Sequence, residues 1–356
     1  MEKTSNPAGN PNGLTAWSAE EFIQRQMPPK EPLLQGLLHK RDLVALGARR
    51  RHGKTSFVTD LAVALATGAP DFLGYNIPAA CRVLLLILED DVGEFQEKLR
   101  KIVGAQNTEG RLYVATREDF FKGGISVNIG VHLFPDAVKR LAASHKPDLI
   151  VLDNLSQLVS ADYNDPTKID KVARLCYELA RDHNCAVIVP AHPRKEDRQN
   201  PIDLLKDSTG FFESIMGSSH FINSMGSLWG LHRDGDVTAF VGGRQRGDGK
   251  QAASYLEMDD DGHFQVVSDV KLNLSLACNT DQRRRAWTLL PDPPTAFGYR
   301  EGHKLVETAL KSSSSYYAWM DQCRRLGVVV DASDGKLVKA VESTVRAPRR
   351  IEQLAA

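Results

Sequence analysis

The chain has 356 residues, and its 45 Lys and Arg balance 45 Asp and Glu, for a formal net charge of zero. Apolar residues make up 42% and charged residues 25%, which excludes collagen-like and disordered chains and suits one large folded domain plus a smaller one. A neutral chain binds nucleic acid only through local patches, and with no apolar run of membrane-spanning length no membrane partner is expected.

Met1–Gly13 is rich in Pro, Asn and Gly, so residues 1–30 read as a flexible arm carrying one short helix over Thr15–Gln26. Ser18 is its N-cap, Glu20 and Glu21 lie in its first turn, and Pro28-Pro29 ends it. Leu33–Leu38 leads into an apolar strand, Leu43–Leu46. The strand enters a polar loop, Ala48-Arg49-Arg50-Arg51-His52-Gly53, which runs into Lys54-Thr55-Ser56 and an apolar-periodic helix through Phe57, Leu61, Ala64 and Leu65. Strand, loop ending in Gly-Lys-Thr, then helix is the context of a phosphate-binding P-loop. Amides of the loop and of the helix N-terminus point at phosphates, which makes Ala48, Arg49, Arg50, Arg51, His52, Gly53, Lys54, Thr55 and Ser56 the candidate nucleotide contacts. Lys54 would reach the β- and γ-phosphates and Thr55 would ligate Mg²⁺. Ala48 stands where the pattern has its first Gly, and three arginines and a histidine replace the usual small residues.

After the stop at Gly68-Ala69-Pro70, Arg82–Leu88 is a continuous apolar run ending in Glu89-Asp90-Asp91. Such a run suits a strand buried on both faces of a parallel sheet, and acids just past its carboxyl end lie where open α/β sheets bind ligands. Val92–Val103 and His132–Ser144 are amphipathic helices with a short strand, Arg111–Ala115, between them. Asp148–Leu152 is another apolar strand, and the Asp153 that follows fits a Walker B carboxylate holding Mg²⁺ beside Thr55. A polar loop (Ser160–Pro166), a helix (Thr167–His183) and a buried strand (Cys185–Pro190) lead to His192. Glu196–Ser214 is polar and irregular, and order restarts at Gly217–Asn223. Ser227–His232 pairs with Val237–Gly242, and Ser254–Met258 with Phe264–Val267, as two hairpins across Gly/Asp turns.

The composition shifts near Leu272: residues 281–356 carry thirteen Lys and Arg against nine Asp and Glu. Helices over Gln282–Leu290, Tyr299–Leu310 and Ser312–Leu326 precede a ribbon of Val328–Val330 and Leu337–Val341 around Asp334-Gly335. Three helices then a hairpin is the order of a winged helix, whose third helix enters the major groove. Its exposed candidates are Tyr316, Tyr317, Gln322, Arg324 and Arg325, and a helical lid or oligomer contact is the competing reading. The five cysteines have no metal-ligand spacing and read as reduced thiols, which with the polar N-terminus points to a cytoplasmic protein.

Six blocks, GARRRHGKTSFVTDLAVALATG (47–68), VLLLILEDD (83–91), PDLIVLDNLSQL (147–158), CAVIVPAHPRK (185–195), GSSHFINSMGSLWGLHR (217–233) and GGRQRGDG (242–249), together resemble the RecA-like ATPases, and among them the plasmid RepA-type hexameric helicases. The resemblance implies an α/β fold: a RecA-like P-loop NTPase core with a mostly parallel central sheet at 31–270, followed by a small winged-helix-like α+β domain at 280–345. It implies ATP and Mg²⁺ as cofactors and Glu89 as the base that polarises the attacking water, with Asp90 the competing carboxylate. Asp153 is followed by Asn154 and not by Glu, so the base has to come from another strand. By the same resemblance His192 is a γ-phosphate sensor. Loop 193–216, with Arg194, Lys195 and Arg198, touches single-stranded DNA in a ring channel. Arg244 and Arg246 match a Lys-x-Arg finger, with Arg in place of Lys, that reaches the neighbouring subunit's nucleotide in a homo-oligomeric ring. The implied function is an ATP-driven DNA helicase. The alternative is an ATP-dependent DNA-binding regulator or a recombination mediator that does not translocate.

Overall fold

A computed structural model describes residues 16–26, 29–159, 166–193, 204, 207–215, 219–234, 237–244, 252–267, 278, 280–293, 295–310, 312–325, 328–332 and 336–339. The chain divides into two units, Met1–Glu31 and Pro32–Ala356. In the first, helix α1 (Ala19–Gln24) starts at a capping box: the Ser18 side chain accepts from Glu21 N–H and the Glu21 carboxylate accepts from Ser18 N–H.

The second unit opens with a short hairpin, β1 (Pro32–Leu34) and β2 (Leu38–His39), before β3 (Leu43–Ala48) and α2 (Lys54–Thr67). Another small hairpin, β4 (Asp71–Phe72) and β5 (Tyr75–Asn76), precedes β6 (Val83–Ile87), α3 (Val92–Val103) and β7 (Leu112–Thr116). Next come α4 (Arg117–Lys122), α5 (Leu133–His145), β8 (Leu149–Asp153), α6 (Leu155–Val159), α7 (Pro166–His183) and β9 (Ala186–Ala191). Two short helices, α8 (Ser208–Glu213) and α9 (Ser219–Ser224), lead to four strands: β10 (Ser227–Asp234), β11 (Val237–Arg244), β12 (Ala252–Met258) and β13 (Phe264–Val266).

Nine strands form one sheet in the order β13-β12-β11-β10-β3-β9-β8-β6-β7. From β10 to β7 every pairing is parallel, and from β10 to β13 every pairing is antiparallel. This is the mostly parallel α/β core expected from the sequence. Strand alternation divides the apolar residues between two faces. Leu84, Leu86, Ile150 and Leu152 join α5 and α7 on one face, while Val83, Leu85, Leu149 and Val151 join α2 on the other. That is why β6 and β8 are apolar at every position but the last of β8, Asp153.

The structure departs from the sequence reading in its short elements. The stretch read as polar and irregular contains α8, whose Phe211 and Phe212 are buried and join the core. Helices α4 and α6 and the β4–β5 hairpin are too short to leave a periodic signal. The polar loop read at Ser160–Pro166 lies almost wholly outside the described residues.

Ile215, just past α8, meets Gly47 of β3. A Cβ at Gly47 would overlap Ile215 Cδ1 and lie 3.2 Å from Phe211 Cε1. Gly47→Ala is therefore expected to cost about 1–3 kcal/mol of stability, read as a lower midpoint in urea unfolding. A melt superimposable on wild type would show that Ile215 is not seated there.

Helices Asp281–Leu289, Tyr299–Val306 and Ser313–Arg325 and the ribbon Val329–Asp331 with Leu337–Lys339 share their own apolar cluster, including Ala286, Phe297, Trp319 and Met320. Tyr316, read as an exposed contact, is buried there. With Trp319, Met320 and Cys323 it makes the i, i+3, i+4, i+7 stripe that its helix turns inward. Tyr317 and Arg324 stay exposed, Gln322 accepts from Arg283, and the Arg325 side chain lies outside the described residues. All five cysteines are free and buried, and no helix among the described residues is long and apolar enough to cross a membrane.

Candidate nucleotide site

The parallel strands deliver their carboxyl ends to one edge of the sheet, and the chemistry-bearing side chains gather there. At Ala48 β3 ends buried, its methyl in the core. The backbone there is still strand, so Ala serves where the P-loop pattern has Gly. The loop instead needs positive φ at Arg51 (64°) and Gly53 (82°). Glycine takes such a φ freely, whereas an L-residue there costs about 1–2 kcal/mol. The arginine-rich loop thus keeps the turn at the expense of local strain at Arg51. Gly53 is the N-cap of α2 and offers no side-chain cap, which leaves the first amides of the helix for a ligand.

Lys54 points back under the loop and is buried. Its Nζ donates to Ala48 O (3.3 Å) and lies 2.9 Å from His192 Nδ1, at the end of β9. Burial lowers its pKa to about 8, partly opposed by the carboxylates of Asp153 and Glu89. An ammonium only donates, so His192 Nδ1 is the acceptor toward Lys54, although the same nitrogen also lies 3.3 Å from Ala48 O; the ring's other nitrogen is Nε2. That nitrogen faces Glu89 Oε2 at 3.7 Å. Asn154 Nδ2 donates to the same Glu89 oxygen, and Asn154 Oδ1 accepts from Ser156 N–H (3.0 Å). The His192 side chain, then Asn154 and Lys54, hold the Glu89 carboxyl below its ordinary range against a burial penalty.

Asp153 ends β8, directly beside Ile87 of β6, two residues before Glu89. It is buried, and burial raises its pKa to about 6 although the Thr55 hydroxyl and Lys54 pull it down. Its Oδ1 is buried with no hydrogen-bond partner among the described residues. An orphaned buried carboxylate oxygen beside a threonine hydroxyl is the donor set of a hard divalent cation, so the residues present fit Mg²⁺. Asp90 is turned away: it pairs with Lys98 of α3 at 2.8 Å, and Asp91 caps that helix.

Of the other loop residues, Arg50 and Arg51 are exposed, while Arg49, Thr55 and Ser56 are half-buried. The His52 Nδ1 accepts from Arg233 N–H at the end of β10 (2.9 Å), and its ring meets His232 edge-on. Burial and then the neighbouring His232, Arg49, Lys54 and Arg233 lower the His52 pKa to about 4, so this imidazole is neutral. The Arg244 backbone stands apart from the cluster. In register Ser227 faces both Arg244 and Val44, whereas Leu231 faces Ala48. The Arg244 backbone therefore lies four residues, about 13 Å, from the P-loop edge. The Arg244 side chain, Arg246, Arg194, Lys195 and Arg198 lie outside the described residues.

The sequence reading passed over Asn154 and Arg233 as site residues. Asn154 was visible as the residue after the strand-end acid, but its bond to Glu89 spans 65 positions. Arg233 contributes through its backbone, which no residue-type pattern marks.

Among known families, the one described as the AAA domain matches residues 10–198. No curated protein matches the chain. Two solved structures are similar to it at low identity. One is titled "The Structure Of A DnaB-Like Replicative Helicase And Its Interactions With Primase", at 14% identity and a TM-score of 0.45, over 64% of this chain and 57% of that one. The other is the RadB recombinase, at 15% identity and a TM-score of 0.44, over 64% of this chain and 92% of that one. The chain thus spans little more than half the length of the DnaB-like helicase chain.

Proposed function

We propose that this chain, which belongs to the AAA domain family, binds and hydrolyses ATP with Mg²⁺ and uses the cycle to act on DNA as a RecA-like motor. The observation that carries the reading is the convergence of Lys54, His192, Glu89 and Asp153 from four adjacent strand ends at one sheet edge. In this reading the amides from Gly53 to Ser56 bind the phosphates. Lys54 places a positive charge at the β- and γ-phosphates. Thr55 and Asp153 hold Mg²⁺, which neutralises phosphate charge when bound. Glu89, oriented by Asn154, takes the proton of the attacking water, and His192 links Glu89 to Lys54 and so reports whether a γ-phosphate is present.

The two perturbed groups set a pH profile. Below about pH 6 a proton competes with the cation at Asp153, and above about pH 8 Lys54 loses its charge. Because kcat/KM reports the free enzyme's groups, it is expected to rise through pH 6 and fall through pH 8. A flat profile between pH 5.5 and 9 would contradict these assignments.

The finer reading is a RepA-type oligomeric helicase of a plasmid or other mobile element, with single-stranded DNA contacted by loop 193–216. The position of Arg244 at the edge opposite its own P-loop favours a finger, Arg244 with Arg246, that serves a neighbouring subunit. Arg246→Ala and Glu89→Gln subunits, each inactive alone, are then expected to recover about a quarter of wild-type ATPase in an equal mixture, since one mixed interface in four restores both groups. No recovery would remove the trans finger. The three C-terminal helices and their ribbon, with their own apolar cluster, favour a second reading as a winged helix on duplex DNA. A non-translocating regulator would then show duplex binding that survives Lys54→Ala.

A further inference from the structure

Asp60 lies on α2, six residues past Lys54, and is buried. Its Oδ2 accepts from the backbone N–H of Phe264 at 2.7 Å, and its Oδ1 bonds His263 Nδ1 at 2.8 Å. Phe264 starts β13, the outermost strand at this end of the sheet and four strands away from β3, and His263 immediately precedes it. The antiparallel end of the sheet therefore curls over α2 and is fastened there by one carboxylate.

The fastening places a ring against the P-loop. Phe264 packs edge-on to Phe57 (5.4 Å between centroids). Its Cζ lies 3.3 Å from where a Cβ of Gly53 would sit. Gly53 is the positive-φ residue that caps α2, and its carbonyl accepts the first helical bond, from Phe57 N–H (2.8 Å). Phe264 thus stands directly against the one glycine whose backbone must hold its angle for the loop amides to face a phosphate. The ring also has room to leave: Asp60, His263 and Phe264 border a cavity of about 630 Å³ between α2 and the β4–β5 hairpin.

We infer that Asp60 is a positioning residue for nucleotide binding: it holds Phe264 against Gly53 and so fixes the phosphate-binding conformation of the P-loop. The inference rests on the ATP-site reading above. Asp60 touches no ligand itself. It acts through Phe264, and the ring through Gly53. Because β12 and β13 extend the sheet from β11, the strand that carries Arg244, the same fastening ties the finger strand to the subunit's own P-loop.

The test is the Kd of a fluorescent ATP analogue with Mg²⁺, with kcat at saturating ATP and thermal melting on the same samples. Phe264→Leu keeps the apolar filling but withdraws the ring, and Asp60→Ala removes both bonds. Each is expected to weaken binding about tenfold while kcat changes less than about twofold. Asp60→Asn still accepts from Phe264 N–H and offers an amide to His263, so it should restore binding to within about threefold. Unchanged Kd in Phe264→Leu and Asp60→Ala, whatever their melting temperatures, would overturn the inference. If Asp60→Ala does not fold, Phe264→Leu decides alone. Wild-type protein that fails to bind the analogue would instead sink the ATP-site reading.

Discussion

Glu89→Gln is expected to lower ATP hydrolysis by about 10²–10⁴-fold while nucleotide affinity stays within about twofold of wild type. The substitution keeps the side chain's length and one oxygen that accepts from Asn154 Nδ2. What it removes is the only property a general base needs, a site for the water's proton. The contact with His192 holds the Glu89 carboxyl below its ordinary range, so it is ionised and ready to accept at neutral pH. Asp90→Asn is the internal control. Its carboxylate is committed to Lys98 on α3, so its loss should leave turnover within about threefold, the scale of losing a half-buried ion pair away from the reacting groups. Single-turnover hydrolysis and equilibrium binding, measured side by side, separate the two variants. Normal turnover in Glu89→Gln would remove it from the base role.

Lys54→Ala should weaken both properties together. A charge-assisted hydrogen bond to phosphate contributes about 1.5–3 kcal/mol, so nucleotide affinity should fall about 10- to 150-fold. Turnover falls as well, because the same charge stabilises the transferring phosphoryl group. The fold should tolerate the loss. Burying the ammonium depresses its pKa to about 8, which means the site holds that charge against a desolvation cost in the absence of ligand. Nucleotide-free Lys54→Ala is therefore expected to melt within a few degrees of wild type, and only the shift in melting temperature on adding Mg²⁺ and ATP should shrink. Undiminished affinity in that variant would contradict the P-loop assignment.

The core was legible where burial dictates composition. β6, β8 and β9 carry no polar residue except Asp153, and that single exception stands at the site edge. Val92–Val103 was placed to the residue because apolar Phe95, Leu99 and Ile102 recur at helical spacing between an Asp cap and a Gly stop. Legibility failed where a contact is made across distant positions or through the backbone. Phe211 and Phe212 sit in a polar stretch, and Gly47, which faces Phe211, is more than 160 residues away, so nothing local marks α8 as core. Tyr316 reads as an exposed contact of the third helix in a winged-helix order, yet the stripe it shares with Trp319 and Cys323 turns it inward. The positive φ at Arg51 is a backbone property, and residue type alone does not mark which residue of the arginine-rich loop takes it. The link from Asp60 to Phe264 joins residues 204 positions apart.

The most direct test of the account is phosphate release from Mg²⁺ and ATP by the full chain, measured with single-stranded DNA, with duplex DNA and without DNA, beside Glu89→Gln. The account predicts Mg²⁺-dependent release that single strands stimulate and that the variant loses under all three conditions. Release by Glu89→Gln equal to wild type, or no release by wild type under any of the three, would contradict it.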